Sequence, residues 1–80
     1  GDFMAKEGVP SHCIVRWENG MLTGTYCDRQ VDFLYCGKTV FAIVDKADHT
    51  NRINTAEFYL KNGRAWGVRC YTRIYQRADL

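Results

Sequence analysis

Proline and serine are nearly absent from this 80-residue chain, and it has no long apolar run. Pro10 is the only proline and Ser11 the only serine, and the absence of a Gly-x-Ser-x-Gly motif excludes that form of serine chemistry. No segment is long and apolar enough for a bilayer-spanning helix or a signal-peptide core, which predicts a mature chain without membrane association. No apolar stripe has helical spacing, which argues against an α-helical fold.

Composition nevertheless predicts a packed protein with one core. The chain is 46% apolar and 14% aromatic, and its 25% of charged residues leave a net charge of +2, which is too mild to imply nucleic-acid binding by itself. We expect a monomer with a flexible N-terminal arm over residues 1–10, a single β domain over 11–77 and a C-terminal tail over 78–80.

Short alternating segments separated by turn signals predict an all-β fold, a small six-stranded antiparallel sandwich or barrel. The six predicted strands are His12–Trp17, Met21–Cys27, Val31–Tyr35, Lys38–Asp45, Thr55–Leu60 and Arg64–Tyr75. The predicted core residues are Trp17, Leu22, Phe33, Val40, Phe41, Ile43, Phe58, Leu60, Trp66 and Val68.

Two Asn-Gly dipeptides predict β-hairpins. At Asn19-Gly20 a two-residue loop sets Trp17 against Leu22, which brings apolar side chains together. At Asn62-Gly63 a three-residue loop over residues 61–63 matches Phe58 with Trp66, and we therefore expect the longer loop there.

Four cysteines in so short a chain predict two disulfides and an oxidising compartment. The cysteines are Cys13, Cys27, Cys36 and Cys70, and their spacing leaves all three connectivities open. There are two alternatives: a zinc site completed by histidine, or free buried cysteines. No C-x2-C pair supports zinc. No metal or cofactor is predicted.

The last predicted strand has arginine and tyrosine alternating on one face. That face would present Arg69, Tyr71, Arg73, Tyr75 and Arg77 to a partner, while Val68, Cys70 and Ile74 point inward. Guanidinium groups stacked on aromatic rings can hold phosphates, bases or an acidic protein surface. The alternative is a solvated sheet face with no partner.

The second predicted strand is a candidate for strand addition. Its Leu-Thr-Gly-Thr stretch lacks the charges and prolines that usually protect an edge strand, so a partner strand would pair at Met21, Thr23 and Thr25. The alternative is that the N-terminal arm covers it.

Catalytic signals are sparse, and no catalytic residue is predicted. His12 and His49 are the only histidines, and neither belongs to a nucleophile motif. A small ribonuclease built from His12, His49 or Glu57 with an arginine is the enzymatic alternative.

The chain from Cys13 to Tyr75 resembles the MAX effectors of plant-pathogenic ascomycete fungi. The resemblance rests on the first strand, Cys13-Ile-Val-Arg-Trp-Glu-Asn-Gly20, on the hairpin over Val31–Val44, and on the hairpin that begins Phe58-Tyr-Leu-Lys-Asn-Gly63. It implies a six-stranded, two-sheet sandwich without common catalytic residues. A cysteine that the family usually carries between its fourth and fifth strands is missing from residues 46–54.

The expected function is therefore a secreted, non-enzymatic binding protein. The resemblance implies delivery into host cells and a host protein partner, for which a heavy-metal-associated domain bound through an edge strand is one model. A secreted ribonuclease or RNA-binding protein and a periplasmic hydrolase inhibitor are the alternatives.

Overall fold

Eight antiparallel strands and no helix make up the computed structural model, which describes residues 1–5 and 10–78. In chain order the strands are β1 (Asp2–Ala5), β2 (Ser11–Glu18), β3 (Met21–Tyr26), β4 (Arg29–Gly37), β5 (Val40–Asp45), β6 (Arg52–Lys61), β7 (Arg64–Cys70) and β8 (Arg73–Arg77). Each strand pairs with its neighbours in sequence, and β1 also pairs with β8, which closes the sheet into an up-and-down barrel. The all-β prediction is confirmed and the barrel is the architecture observed, whereas the predicted number of six strands is wrong.

Strand β1 comes from the segment that was predicted to be a flexible arm. Phe3 pairs with Cys13 of β2 on one side and with Arg77 of β8 on the other. Phe3 and Ala5 are buried, so alternating apolar side chains give this short strand a place in the core. The arm prediction is wrong for Asp2–Ala5, and residues 6–9 lie outside the described residues.

The C-terminal segment is two strands because a turn at Tyr71 and Thr72 interrupts it. Tyr71 has a left-handed φ of 58°, and Cys70 pairs with Arg73 across the turn. A two-residue turn puts these paired residues on the same face, so the alternation of β8 is opposite to the one predicted for a continuous strand. The predicted tail begins at Ala78, whose N–H donates to the Asp2 carbonyl at 2.8 Å, and residues 79 and 80 are outside the described part.

Phe58 is the centre of the aromatic packing inside the barrel. Its ring lies 5.5 Å from Phe41, 6.1 Å from Phe3 and 6.5 Å from Phe33, all with steep interplanar angles. Edge-to-face contacts of this kind add to the stabilisation from apolar burial. Four aromatic rings from different strands therefore pack against one another inside the barrel.

The two ends of the barrel differ in their connections. At the hairpin end lie the turns at residues 19–20, 38–39 and 62–63, and at the loop end lie the turns at 27–28 and 71–72 and the longer connection at 46–51. Three of the tight turns place two consecutive residues at left-handed φ, as type I′ turns require, and these are Asn19-Gly20, Cys27-Asp28 and Asn62-Gly63.

The predicted core is confirmed in the middle of the barrel and wrong near its end. Phe33, Ile43 and Val68 are buried, while Trp17 is 70% exposed and Leu60 54% exposed. Leu22, Phe41 and Phe58 are partly buried against the core cluster, and Val40 and Trp66 are half-buried. Alternation predicts which face a side chain occupies, but it does not predict the depth of that side chain along the barrel axis.

The first hairpin has the predicted register. Trp17 pairs with Leu22, and Val15 pairs with Gly24, across a two-residue turn at Asn19-Gly20. This prediction is confirmed. Asn-Gly favours the two-residue turn because it is the dipeptide that best tolerates the left-handed conformation of both turn residues.

The predicted disulfides are absent from the structure. All four cysteines are free, with Cys13 and Cys70 buried and Cys27 and Cys36 exposed. Cys27 precedes β4 and Cys36 lies near the C-terminal end of that strand, so the length of β4 separates them. Hydrogen bonds between neighbouring strands hold the closed barrel together, which is the role that the sequence predicts for disulfides.

Thiol titration tests this assignment. The pKa of the Cys13 thiol lies above its ordinary range because a hydrogen bond with Cys70 and burial both favour the neutral form. We expect Cys27 and Cys36 to react rapidly with a disulfide reagent in the native protein, and Cys13 and Cys70 to react only after unfolding. Four unreactive cysteines in the unfolded, unreduced protein would contradict the assignment.

Substitution at Gly24 tests the packing of β3 against β2. A Cβ at Gly24 would collide with the Ile14 carbonyl, whereas one at Gly20 would meet no atom within 4 Å. We expect Gly24→Ala to lower the free energy of unfolding by more than about 3 kcal/mol. The control Gly20→Ala should cost about 1 kcal/mol from its left-handed φ alone. Urea unfolding measures both, and equal losses would argue against the close approach of the two strands.

Candidate functional site

A basic cleft at the hairpin end of the barrel is the most complete candidate site. It encloses about 840 Å³ between the β6–β7 hairpin and the end of β8. It is lined by Lys61, Asn62, Arg64, Ala65, Trp66, Gln76 and Arg77. Three of these side chains are cationic and none is a carboxylate, so the cleft suits an anionic group.

The β6–β7 turn brings two of the cations together. Asn62 and Gly63 have φ values of 54° and 77° and form a two-residue turn, across which Lys61 pairs with Arg64. Directly paired residues share a face of the sheet. The predicted three-residue loop is wrong. A two-residue loop alone would set Phe58 against Gly67, and a bulge farther along the hairpin shifts the register so that Phe58 pairs with Val68.

That bulge places the aromatic wall of the cleft. Tyr59 pairs with Gly67 while Leu60 pairs with Ala65, so Trp66 is the extra residue on β7. The rings of Tyr59 and Trp66 are stacked, with centroids 5.5 Å apart and planes inclined by 22°. Phe58 pairs with Val68 and not with Trp66, so the tryptophan is released from its predicted core position.

Two of the cations in the cleft are not neutralised by a neighbouring carboxylate. Among the described residues, Lys61 and Arg64 form no ion pair, and both are exposed. The exposed Arg16, Arg29 and Arg69 instead lie 3.0, 2.9 and 2.7 Å from carboxylate oxygens. The cleft therefore contains two cations whose charge no carboxylate offsets, whereas the charge of these three arginines is largely neutralised.

The residues predicted for strand addition do not lie on an edge. Strand β3 pairs with β2 on one side and β4 on the other, so the edge-strand prediction is wrong for Met21, Thr23 and Thr25. Thr23 is also buried, and Met21 and Thr25 are half-buried. A closed barrel has no free strand edge at which a partner strand could pair.

The predicted arginine and tyrosine stripe is not one continuous face. Arg69 is exposed and paired with Glu57, and Tyr71 is 74% exposed at the turn. Arg73 lies with its guanidinium carbon 5.8 Å from the ring centre of Tyr75, and Tyr75 is buried at 1% exposure. The prediction is wrong because the turn at Tyr71 reverses the inward and outward positions of β8.

Tyr75 belongs instead to a polar layer that closes the loop end. Its hydroxyl lies 3.1 Å from Ser11 Oγ, and its ring lies 6.2 Å from that of Tyr26. The Asn54 side-chain amide donates to the Tyr26 hydroxyl at 3.0 Å. Burial raises the pKa of both tyrosines, so their hydroxyls stay protonated as donors.

The residues of the ribonuclease alternative contact three different partners. His12 Nδ1 is 2.9 Å from Asp2, His49 Nε2 is 2.6 Å from Asp32, and Glu57 binds Arg69. General acid–base cleavage needs two such groups converging on one phosphate. The hydrogen bonds of the described residues do not bring the two histidines together.

Asp32 is the acceptor that fixes the 46–51 connection against the outside of the barrel. The carboxylate accepts from Thr23 Oγ1 at 2.8 Å, from His49 at 2.6 Å and from Lys46 at 3.3 Å. Burial by itself would raise the pKa of Asp32, but these three hydrogen bonds together hold it below its usual range. This hydrogen-bond network has a structural role, because its three donors converge on the buried carboxylate of Asp32.

Stability measured against pH tests the role of Asp32. A carboxyl whose pKa is lowered by folding stabilises the protein above the pKa of the unfolded chain, and the contribution is lost as pH falls through the folded pKa. We expect Asp32→Asn to cost about 1 kcal/mol at pH 6, a modest value because His49 and Lys46 are half exposed.

The difference between Asp32→Asn and the wild type should begin to narrow below about pH 4, where the carboxyl of the unfolded chain becomes protonated, and it should be lost once the pH is below the lowered pKa of the folded state. Urea unfolding at several pH values measures both proteins. A difference independent of pH down to about pH 2 would show that the carboxylate charge does not stabilise the connection.

The sequence held a signal for the cleft that the strand predictions did not use. Lys61 and Arg64 flank an Asn-Gly dipeptide, and the two-residue loop usual for that dipeptide sets its flanking residues side by side. Trp66 was assigned to the core, and only Arg77 belonged to the predicted basic surface. No sequence pattern identified the bulge that turns Trp66 into the cleft wall.

Comparison of the chain with protein-family models, curated proteins and solved structures gives no match. Within residues 1–5 and 10–78, no helix is long and apolar enough to cross a membrane. The same residues contain no group of three or more His, Cys, Asp or Glu side chains placed to hold a metal ion. The geometry and charge of the cleft are thus the basis for assigning a function.

Proposed function

We propose that this chain is a non-catalytic binding protein that holds an acidic protein surface in the cleft formed by Lys61, Arg64, Trp66 and Arg77. The observation that supports it is the composition of the cleft, in which three cations and a tryptophan line one concave surface and no carboxylate of the described residues does. Arginine and tryptophan are enriched among the residues that dominate binding energy at protein interfaces.

The cleft is preorganised for such a contact. A tight turn with two left-handed residues fixes the hairpin, and stacking on Tyr59 restrains the ring of Trp66. A site already held in its binding conformation loses less entropy when the partner binds. Carboxylates of the partner would be bound by the guanidinium group of Arg64 while apolar groups pack against the indole ring.

The distribution of charge favours a protein over a nucleic acid. A nucleic-acid strand needs cations along a path of successive phosphates, and each neutralised phosphate adds to the salt dependence of binding. Here the net charge is only +2, and Arg16, Arg29 and Arg69 already have carboxylate partners. A short acidic patch on a protein matches the cleft better than a long polyanion.

The proposal differs in two respects from the function expected from the sequence. It keeps a protein as the partner, but places contact at the cleft because the closed barrel offers no strand edge. It specifies no compartment, because the free cysteines remove the main argument for an oxidising one.

Charge reversal at Arg64 tests the proposal against the stripe predicted from sequence. We expect Arg64→Glu to weaken binding of a fluorescein-labelled peptide of alternating glutamate and leucine about tenfold. The matched control Arg69→Glu changes the charge equally on an exposed residue of the same strand, and should weaken it less than twofold. Fluorescence anisotropy measures the affinities, and shifts of the Trp66 indole resonance locate the peptide.

Labelled oligouridine provides the competing measurement. Binding of oligouridine that is tighter than that of the peptide, with a steep loss of affinity as salt increases, would contradict the proposal in favour of single-stranded RNA. Equal losses for the two charge reversals would move the contact away from the cleft, and a peptide that does not bind the wild type would reject the site.

A further inference from the structure

The hairpin end of the barrel leaves interior-facing side chains uncovered. Trp17 follows the buried Val15 at the alternating position of β2, and Leu60 similarly follows Phe58 on β6. Both therefore belong to the inward-facing set of their strands, yet they are 70% and 54% exposed. Exposed apolar surface of this extent is unfavourable in water unless a ligand or partner covers it.

Polar side chains that hydrogen-bond to one another cover the core at the loop end of the barrel. There, Asn54 donates to Tyr26, and Ser11 lies within hydrogen-bond distance of Tyr75, so polar groups above the core satisfy one another. The hairpin end has no equivalent polar layer among the residues that line its cavity. The asymmetry makes the hairpin end a mouth that opens towards the aromatic core.

The mouth is concave and mainly apolar. Its cavity of about 420 Å³ has Val15, Leu22, Phe41 and Phe58 among its lining residues, with Trp17 and Leu60 at its exposed level. Volumes of this order are typical of small-molecule sites, and eight-stranded barrels have interiors that can hold one small ligand. Because the cavity is concave, it can accommodate a ligand that inserts into the barrel, which a flat apolar surface could not.

The charged side chains at the mouth have one sign. Arg16 and Lys38 line the cavity, and no aspartate or glutamate in the described part of the chain does. Arg16 is engaged by Glu18 at 3.0 Å, while Lys38 forms no ion pair among the described residues and is exposed. A ligand whose apolar part lies among the aromatic rings can therefore place an anionic group beside Lys38.

From this arrangement we infer that the mouth binds a single-chain aliphatic carboxylate, a medium-chain fatty acid, with its chain in the cavity and its carboxylate at Lys38. The apolar lining selects the chain, and the lone-sign charge at the rim selects an anion over a neutral lipid. The mouth and the basic cleft share Ala65 in their lining, but their charged residues differ, so charge reversals at Lys38 and at Arg64 test the two proposals separately.

Decanoate titration below its micellar concentration is the test, with Trp17 as the reporter. In a Trp66→Phe protein, Trp17 is the only remaining tryptophan, and we expect saturable binding to shift its emission to shorter wavelength as the chain covers the indole. The Trp17→Phe protein, which reports from Trp66 on the outer wall, should show no shift. Lengthening the chain from octanoate to decanoate should tighten binding about fourfold for each buried methylene.

Matched variants separate the chain contact from the charge contact. Leu60→Glu should weaken decanoate binding at least tenfold, whereas Ile74→Glu, at a residue 51% exposed on the outside of β8, should leave it unchanged. Lys38→Glu should weaken decanoate binding and leave decanol binding unchanged. Circular dichroism of each variant confirms that the barrel is intact.

Three results of the binding measurements would overturn the inference. They are no saturable change in Trp17 emission, equal affinities for decanoate and decanol in the wild type, and a change seen only with phospholipid vesicles, which would indicate a membrane surface as the occupant. Sedimentation measured in parallel shows whether a second copy of the chain covers the mouth, and a stable dimer that excludes decanoate would also overturn it.

Discussion

The pairing of β1 with β8 is the interaction on which the rest of the structure depends. It consists of two residue pairs, Phe3 with Arg77 and Met4 with Gln76, supported by the hydrogen bond from Ala78 to Asp2. Without it the sheet would have two free edges, and its unpaired N–H and C=O groups would need water or a partner strand. With it, every strand has two neighbours, and side-chain direction divides the chain into an interior and an exterior.

Closure explains why the molecule presents side chains to a partner and not its backbone. Because every strand is paired on both sides, recognition must come from the outer wall and the two ends. The loop end is occupied by its own hydrogen bonds, one from Asn54 to Tyr26 and one between Ser11 and Tyr75. The hairpin end keeps both the basic cleft and the apolar mouth accessible, and the β6–β7 hairpin contributes Lys61 to the first and Leu60 to the second.

Local patterns in the sequence predicted the β class, the strands β2 to β6 in approximate position and the first hairpin in register. They missed the turn at Tyr71 and Thr72, because neither residue is typical of a tight turn, and that single omission inverted the predicted positions of Ile74 and Tyr75. They missed β1 because four residues give little alternation to detect. The sequence shows the basic and aromatic residues of the cleft, but it does not predict that they lie together. Their proximity depends on the bulge at Trp66 and on the pairing of β8 with β7.

Backbone NOEs between β1 and β8, recorded together with amide hydrogen exchange on the isotope-labelled protein, test barrel closure most directly. Closure predicts cross-strand contacts between Phe3 and Arg77 and between Met4 and Gln76, and slow exchange for the amides whose hydrogen bonds join the two strands. Absence of these contacts, with amides of residues 2–5 exchanging as fast as those of an unfolded peptide, would mean that the N-terminal segment is a free arm and would contradict the closed barrel.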